Sequence, residues 1–174
     1  LTRTLLHDDA RLLAWAVLAV LALDAVRPIW KHGPGVAARR YWLAVVVLST
    51  LAINGLKRVS TTSCPWDLAE FGGQARYVPH WLLQLQDGGP GHCFPSGHAS
   101  TAFAFIGLFF LWRPHRPVAA RRILLAVLAA GAVFAWDQLA RGAHHLSHSL
   151  WTAWLCLAIA VVAHRLAPAG TFQP

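Results

Sequence analysis

Residues 123–136, Ile-Leu-Leu-Ala-Val-Leu-Ala-Ala-Gly-Ala-Val-Phe-Ala-Trp, form an uninterrupted apolar stretch. A helix that crosses a bilayer needs about 20 residues at a rise of about 1.5 Å each, so this stretch must borrow a turn from its flanks. Arg121 and Arg122 precede the stretch, and Asp137 and Gln138 follow it. The segment therefore predicts a membrane-spanning helix with polar residues at both ends.

Four further stretches have the same character: Leu12–Ile29, Tyr41–Leu56, Ala99–Trp112 and Leu150–Ala163. The chain is 56% hydrophobic and 13% charged, whereas soluble domains carry about 25% charged residues. Too little polar chain remains to cover five buried helices in water. We expect an all-α, polytopic transmembrane helix bundle formed by residues 1–174 as one membrane-embedded domain. Because the sequence starts at Leu1 without Met, we also expect a sixth span upstream.

Basic residues are distributed unequally between the two sides of the predicted bundle. The first connection, the third connection and the tail carry basic residues without an acid: Arg27, Lys31, Arg39, Arg40, Arg113, Arg116, Arg121, Arg122 and Arg165. The positive-inside rule places these parts in the cytoplasm and the long loop Lys57–Gly97 in the periplasm of a bacterial inner membrane. Within that loop, Trp81–Leu85 is predicted to lie along the interface as a short helix. Topology and anionic lipid account for the net charge of +8, so we expect no nucleic-acid partner.

Polar residues gather at the outer ends of the predicted spans. They are Lys57 and Arg58, then Ser96, Gly97 and His98, then Asp137, Gln138 and Arg141, and finally His144, His145 and His148. Polar groups beside membrane spans are costly to bury and are functional candidates for that reason. We therefore expect three separated pieces of chain to meet in one site on the outer side.

The segment Pro95-Ser96-Gly97-His98 is typical of a turn that leads into a helix. Free backbone N–H groups and the positive end of the helix dipole favour an anion such as phosphate there. Ser96 is predicted to cap the helix, and Gly97 allows a ligand to approach the backbone closely. The alternative is a plain serine cap beside a bystander histidine.

His144 and His148 are four residues apart and would share one face of a helix. They fit a metal site, a nucleophile with its orienting partner, or interfacial histidines without chemistry. A zinc site would require further acidic or cysteine ligands nearby, and the sequence has no His-Glu-x-x-His pattern. The pair therefore favours catalysis over a metal site.

Three motifs together resemble the signature of the type 2 phosphatidic acid phosphatase superfamily. They are Lys57-x6-Cys64-Pro65, Pro95-Ser96-Gly97-His98 and Gly142-Ala143-His144-x3-His148. The superfamily pattern is Lys-x6-Arg-Pro, Pro-Ser-Gly-His and Ser-Arg-x5-His-x3-Asp, and its members include lipid phosphatases, glucose-6-phosphatase and vanadium haloperoxidases. The central motif matches in full, and the outer two match in part.

The resemblance implies a lipid phosphatase without metal or cofactor. His144 would attack phosphorus to form a phosphohistidine, and His98 would protonate the leaving oxygen. The groups that would hold phosphate are Lys57, Arg141 and the backbone N–H groups of Ser96 and Gly97. The implied partner is a membrane lipid of the undecaprenyl diphosphate, phosphatidylglycerophosphate, phosphatidate or lipid A type. Two alternatives stay open: a lipid phosphotransferase with the same site, and a non-catalytic protein that binds haem or metal through its ten histidines.

Three positions depart from the superfamily pattern. Cys64 and Gln138 stand where it has Arg, and His148 stands where it has Asp. Arg58 or Arg141 would restore positive charge, and Asp137 or Asp67 would supply a carboxylate from a new position. His148 would itself orient His144.

Two cysteines, Cys64 and Cys93, fall in the loop assigned to the oxidising periplasm, whereas Cys156 lies within the last span. We expect a Cys64–Cys93 disulfide that ties the first motif to the second.

Overall fold

The computed structural model describes residues 7–30, 33–82, 85–168 and 171, with side chains from residue 12 onward. In this part of the chain the regular elements are helices, and no strand occurs. They are α1 (His7–Val26), α2 (Val36–Val59), α3 (Gly97–Phe103), α4 (Leu108–Trp112), α5 (Pro117–Ala140) and α6 (Leu146–Leu166). The predicted all-α class is confirmed.

Helices α3 and α4 form one continuous rod, because a 3₁₀ turn over Ala104–Gly107 joins them. The rod Gly97–Trp112 is flanked by Pro95 and Pro114. Proline lacks a backbone N–H and restricts the residue before it, so the rod gains little length from its flanks.

The lengths of the helices support three of the predicted spans. Val36–Val59, Pro117–Ala140 and Leu146–Leu166 are long and apolar enough to cross a membrane. The apolar parts of the other two candidates, Leu12–Val26 and Gly97–Trp112, are shorter. Large apolar side chains are exposed along α1, α2, α5 and α6, as expected for surfaces that face lipid.

The α3–α4 rod lies at the centre of the bundle, where α1, α2, α5 and α6 all contact it. Two glycines permit close packing. A Cβ atom at Gly107 would lie 2.6 Å from the ring of Trp42 on α2, and one at Gly131 of α5 would lie 2.2 Å from the ring of Phe103. Small residues at such crossings allow helices to approach closely in membrane bundles.

A buried ion pair between Asp24 and Arg39 joins α1 to α2 near the connection between these two helices. The Arg39 guanidinium also donates to the carbonyl of Pro34 at 2.6 Å and of Trp30 at 2.8 Å, and the Ile29 N–H donates to Asp24 at 2.8 Å. The pair therefore satisfies backbone groups of the connection as well as its own charges, which buried charges require.

The long loop between α2 and α3 is folded around a buried carboxylate. Asp87 accepts hydrogen bonds from the Ser63 N–H at 2.5 Å, the Ser63 hydroxyl at 2.8 Å and the Gly89 N–H at 2.9 Å. Of the segment predicted as an interfacial helix, Trp81, Leu82 and Leu85 are exposed and non-helical. Residues 83 and 84 lie outside the described part of the chain.

Candidate active site

Three side chains that the sequence predicts as functional come from separate pieces of chain and line one cavity of about 520 Å³. Lys57 comes from the last turn of α2, His98 from the first turn of α3, and His144 from the connection between α5 and α6. The sequence prediction that these pieces share one site agrees with this arrangement.

The lining of the cavity combines polar and apolar residues. The remaining lining residues are Ala14, Trp15, Leu18, Val46, Thr50, Asn54, Gly97, Ser100, Thr101, Phe105 and Gln138. Helix α1 supplies one wall, which the sequence motifs did not indicate. The spacing of Thr50, Asn54 and Lys57 at i, i+4 and i+7 places them on one helical face, so this row was detectable in the sequence.

The turn that presents His144 follows directly from the end of α5. The N–H groups of Ala143 and His144 donate to the carbonyl of Gln138 at 2.9 and 3.3 Å, and Gly142 adopts a φ of 65° that favours glycine. His144 is buried, and its Nδ1 lies 3.4 Å from Nδ1 of His148. Because Nδ1 contacts His148, Nε2 is the ring nitrogen of His144 that remains available to react with a ligand in the cavity.

Burial controls the charge of His144. Burial, and secondarily the positive charge of Lys57, lower the pKa of His144 to about 3. The ring is therefore neutral at physiological pH and keeps a lone pair, as a nucleophile requires.

His148 is held rigidly at the start of α6. Its carbonyl accepts hydrogen bonds from the Ser96 N–H at 3.3 Å and the Thr152 hydroxyl at 2.9 Å, and the same hydroxyl lies 3.0 Å from the Ser96 carbonyl. Phe94 and His80 pack edge-on against the His148 ring at centroid distances of 5.4 and 5.7 Å. His148, which stands where the superfamily pattern has Asp, thus contacts Nδ1 of His144.

The structure changes the expectation for Ser96. Ser96 occupies the N-cap position of α3, but among the described residues its side chain makes no capping hydrogen bond and its buried hydroxyl has no hydrogen-bond partner. Its N–H is engaged by His148, so it is occupied within the protein. Gly97 lies beside Lys57: a Cβ atom at this glycine would be 3.7 Å from the ammonium nitrogen.

The other predicted charged residues lie outside the described lining of the cavity. Arg58 is exposed at the end of α2. Arg141 pairs with Asp137 at 3.3 Å, and Gln138 donates to the same carboxylate at 2.8 Å. Asp137 therefore binds both Arg141 and Gln138. Among the described lining residues of the cavity, Lys57 is the one Lys or Arg side chain.

The predicted disulfide between Cys64 and Cys93 is present. Cys93 is fully buried, and its Sγ lies 3.4 Å from Nδ1 of His144 and 3.0 Å from the carbonyl oxygen of Ala143. The bridge therefore supports the turn that carries His144. Cys93, His144 and His148 also form a group with metal-ligand spacing, but a disulfide sulfur is not the thiolate that zinc binds.

A comparison with protein-family models matches residues 38–171 to the PAP2 superfamily. The chain belongs to the PAP2 superfamily. The match includes all three motifs and begins after α1. Comparisons with curated proteins and with solved structures gave no match. The phosphatases of the PAP2 superfamily support, in general terms, a phosphoric ester hydrolase activity for this PAP2 protein.

Proposed function

We propose that this PAP2 protein is an integral membrane lipid phosphatase that works at the periplasmic face through a phosphohistidine intermediate. The observation that carries the proposal is the mixed lining of the cavity. Lys57, His98 and His144 line it together with apolar residues such as Leu18, Val46 and Phe105. A phosphate headgroup with a hydrocarbon tail matches both kinds of lining residue.

The first chemical step transfers the phosphoryl group to His144. Nε2 attacks phosphorus, the P–N bond forms, and the bond to the leaving oxygen breaks. His98 gives its proton to that oxygen as general acid. Lys57 and the Gly97 backbone N–H stabilise the charge on the equatorial oxygens, because that charge is spread over them in the transition state.

The second step releases phosphate. His98, now neutral, takes a proton from a water molecule that attacks phosphorus, the P–N bond breaks, and His144 returns to its starting state. His148 keeps the ring of His144 in the productive tautomer by accepting a hydrogen bond from its Nδ1–H group. This proton stays on Nδ1 throughout, as orienting groups in related nucleophile systems require.

The proposed location follows from charge and helix packing. The loops that carry the site connect the ends of the helices opposite to the basic connections, so the positive-inside rule directs the site to the periplasm. A lipid phosphate or diphosphate in the outer leaflet of that membrane would reach the cavity with its headgroup at the interface.

The test is phosphate release from a panel of lipid phosphates by the purified full chain. The panel contains phosphatidate, phosphatidylglycerophosphate, undecaprenyl diphosphate and lipid A. His144→Ala should abolish release, and the native chain should form an acid-labile phosphoprotein that His144→Ala lacks. His145→Ala is the matched control, because this ring is one residue away and outside the described cavity lining; it should keep activity within about threefold.

Two results would contradict the proposal. Unchanged activity in His144→Ala would remove the assigned nucleophile. Quantitative transfer of phosphate to a second lipid, with no free phosphate, would make the protein a phosphotransferase, so the products are analysed alongside released phosphate.

A further inference from the structure

Two distances between the ligand atoms beside the proposed nucleophile match those of a tetrahedral metal site. Nδ1 of His144 lies 3.4 Å from Sγ of Cys93 and 3.4 Å from Nδ1 of His148. Zinc bonds of about 2.3 Å to sulfur and about 2.05 Å to nitrogen at tetrahedral angles place these atoms about 3.6 Å and about 3.3 Å apart. All three residues are buried, and their ligand atoms lie within 4.8 Å of one another.

A fourth ligand would come from Cys64 by rotation of its side chain. Cys64 is bonded to Cys93, with the two Cα atoms 5.2 Å apart, but its Sγ is not one of the three atoms that lie within 4.8 Å of one another, so it must turn toward the histidines when the bond opens. The reduced set of two cysteines and two histidines matches the ligand preference of structural zinc sites.

We propose that reduction of the Cys64–Cys93 disulfide creates a Cys₂His₂ site for zinc or a similar divalent metal, formed with His144 and His148. The oxidised protein lacks this site, because both sulfurs are then bonded to each other. The redox state of the disulfide therefore determines whether a metal binds beside the cavity.

The chemistry balances with a dithiol as reductant. Cys64 is half-buried and Cys93 is fully buried, so the thiolate of the dithiol attacks Sγ of Cys64 and releases Cys93 as the leaving thiolate. The second thiol of the reductant then resolves the mixed disulfide and leaves as a cyclic disulfide. Two electrons and two protons pass to the protein, and Zn²⁺ displaces the two protons when it binds both sulfurs as thiolates.

Metal binding would switch off the activity, a consequence that rests on the proposed function. A neutral imidazole that gives the lone pair of Nδ1 to zinc carries its proton on Nε2. That proton occupies the lone pair that would attack phosphorus. The two thiolates neutralise the charge of the ion, which offsets the repulsion from the nearby Lys57 ammonium group.

The direct test measures metal binding by the full chain in detergent, with no enzyme assay. The protein is reduced with a phosphine, freed of reductant without oxygen, and dialysed against Zn²⁺ or Co²⁺. The reduced chain should hold about one metal per chain more than the oxidised chain. Bound Co²⁺ should show the strong visible bands of tetrahedral geometry and a thiolate charge-transfer band in the near ultraviolet. Equal metal content in the two redox states, or cobalt spectra without thiolate bands, would overturn the site.

Variants separate this site from other metal-binding groups. Cys93→Ser should remove the redox-dependent metal, and His148→Gln should weaken its binding by about tenfold or more. Cys156→Ala is the matched control, because this thiol is buried within α6 away from the cluster; it should bind metal like the native chain. Retention of the metal by Cys93→Ser would contradict the proposal. The comparison of oxidised and reduced native chain requires no variant, so a variant that fails to fold does not block the test.

Phosphatase activity is measured separately on the same samples. We expect the activity of the reduced, zinc-loaded chain to be at least about tenfold lower than that of the oxidised chain. The activity should recover after chelation and reoxidation. If the protein binds metal as predicted but has no phosphatase activity in any state, the proposed function fails and the metal site stands. If the zinc-loaded chain stays fully active, the inhibitory role of the metal is wrong.

Discussion

At the scale of single residues, Lys57 carries much of the fixed positive charge of the candidate site. The superfamily pattern has arginines at two positions that Cys64 and Gln138 occupy in this chain. Arg141 is the nearest arginine in sequence that could replace one of them, but its guanidinium forms an ion pair with Asp137 at 3.3 Å. Phosphate binding in the proposed mechanism therefore depends on Lys57 to an unusual degree.

This dependence predicts that removal of the Lys57 side chain lowers kcat/KM far more than removal of the Arg141 side chain. Lys57→Ala should lower kcat/KM for a lipid phosphate by about 100- to 1,000-fold, because a preorganised donor to the transition state is lost. Arg141→Ala should change kcat/KM by less than about threefold, since this guanidinium faces Asp137 outside the described cavity lining. Steady-state kinetics on both purified variants check the prediction, and the opposite ranking would return Arg141 to the phosphate site.

The protonation state of His144 gives a second prediction. Its pKa is lowered from 6.5 to about 3, so the ring should stay neutral as the pH falls through 6.5. The ring nitrogen signals of His144, assigned with His144→Gln in ¹⁵N-histidine-labelled protein, should be unchanged between about pH 8 and about pH 5. A titration with a midpoint near 6.5 would show that the site is open to water.

The same shift has a defined effect on stability. Between pH 6.5 and about pH 3 the unfolded chain binds a proton at His144 that the folded chain does not. The contribution of the neutral ring to stability is therefore complete above pH 6.5 and is lost as the pH falls toward 3.

At the scale of elements, apolar stretches and short motifs predicted the helices and the meeting of Lys57, His98 and His144. Uncharged runs of this length have one stable form in a bilayer, so the helices were predictable from composition alone. The motifs gave no sign that α1 closes the cavity, because its lining residues Ala14, Trp15 and Leu18 resemble any lipid-facing apolar residues.

The ion-pair partners of the charged side chains were harder to predict from the sequence than the helices. Arg141 was assigned to phosphate from its sequence position, but an acid one helical turn earlier, Asp137, competes for it. The buried pair of Asp24 and Arg39 likewise depends on how α1 and α2 pack, and sequence spacing does not report that distance. Side-chain partners across helices follow from packing, whereas helix formation follows from local pattern.

Glycine packing between elements gives a third prediction. Gly131→Ala should destabilise the protein by about 1–3 kcal/mol, because the added Cβ atom would lie 2.2 Å from the Phe103 ring and force α5 away from α3. Gly55→Ala is the matched control within α2, where a Cβ atom meets nothing within 4 Å. That variant should keep or raise the melting temperature, since alanine favours helix over glycine by up to about 1 kcal/mol. Thermal unfolding in detergent measures both variants, and equal melting temperatures would refute the close contact.

At the scale of the whole molecule, charge and exposure divide the protein into three zones. Exposed apolar side chains such as Trp136 and Trp154 cover the helices, basic connections lie at one end, and the folded loop with the disulfide lies at the other. A bilayer fits around the middle zone, and the asymmetry of Lys and Arg then selects the direction of insertion. The cavity lies at the end that carries the folded loop, so the direction of insertion decides which leaflet can supply substrate.

Cysteine labelling tests this direction. Gln86 is exposed in the outer loop, and Val118 is 60% exposed at the start of α5. In spheroplasts a membrane-impermeant maleimide should label Gln86→Cys and leave Val118→Cys unlabelled until the membrane is broken. The native cysteines give little background, because Cys64 and Cys93 are joined and Cys156 is buried. Labelling of Val118→Cys alone in intact spheroplasts would reverse the orientation. The site would then face the cytoplasm, where thiols are kept reduced, and the disulfide beside His144 would lose the oxidising environment that it requires.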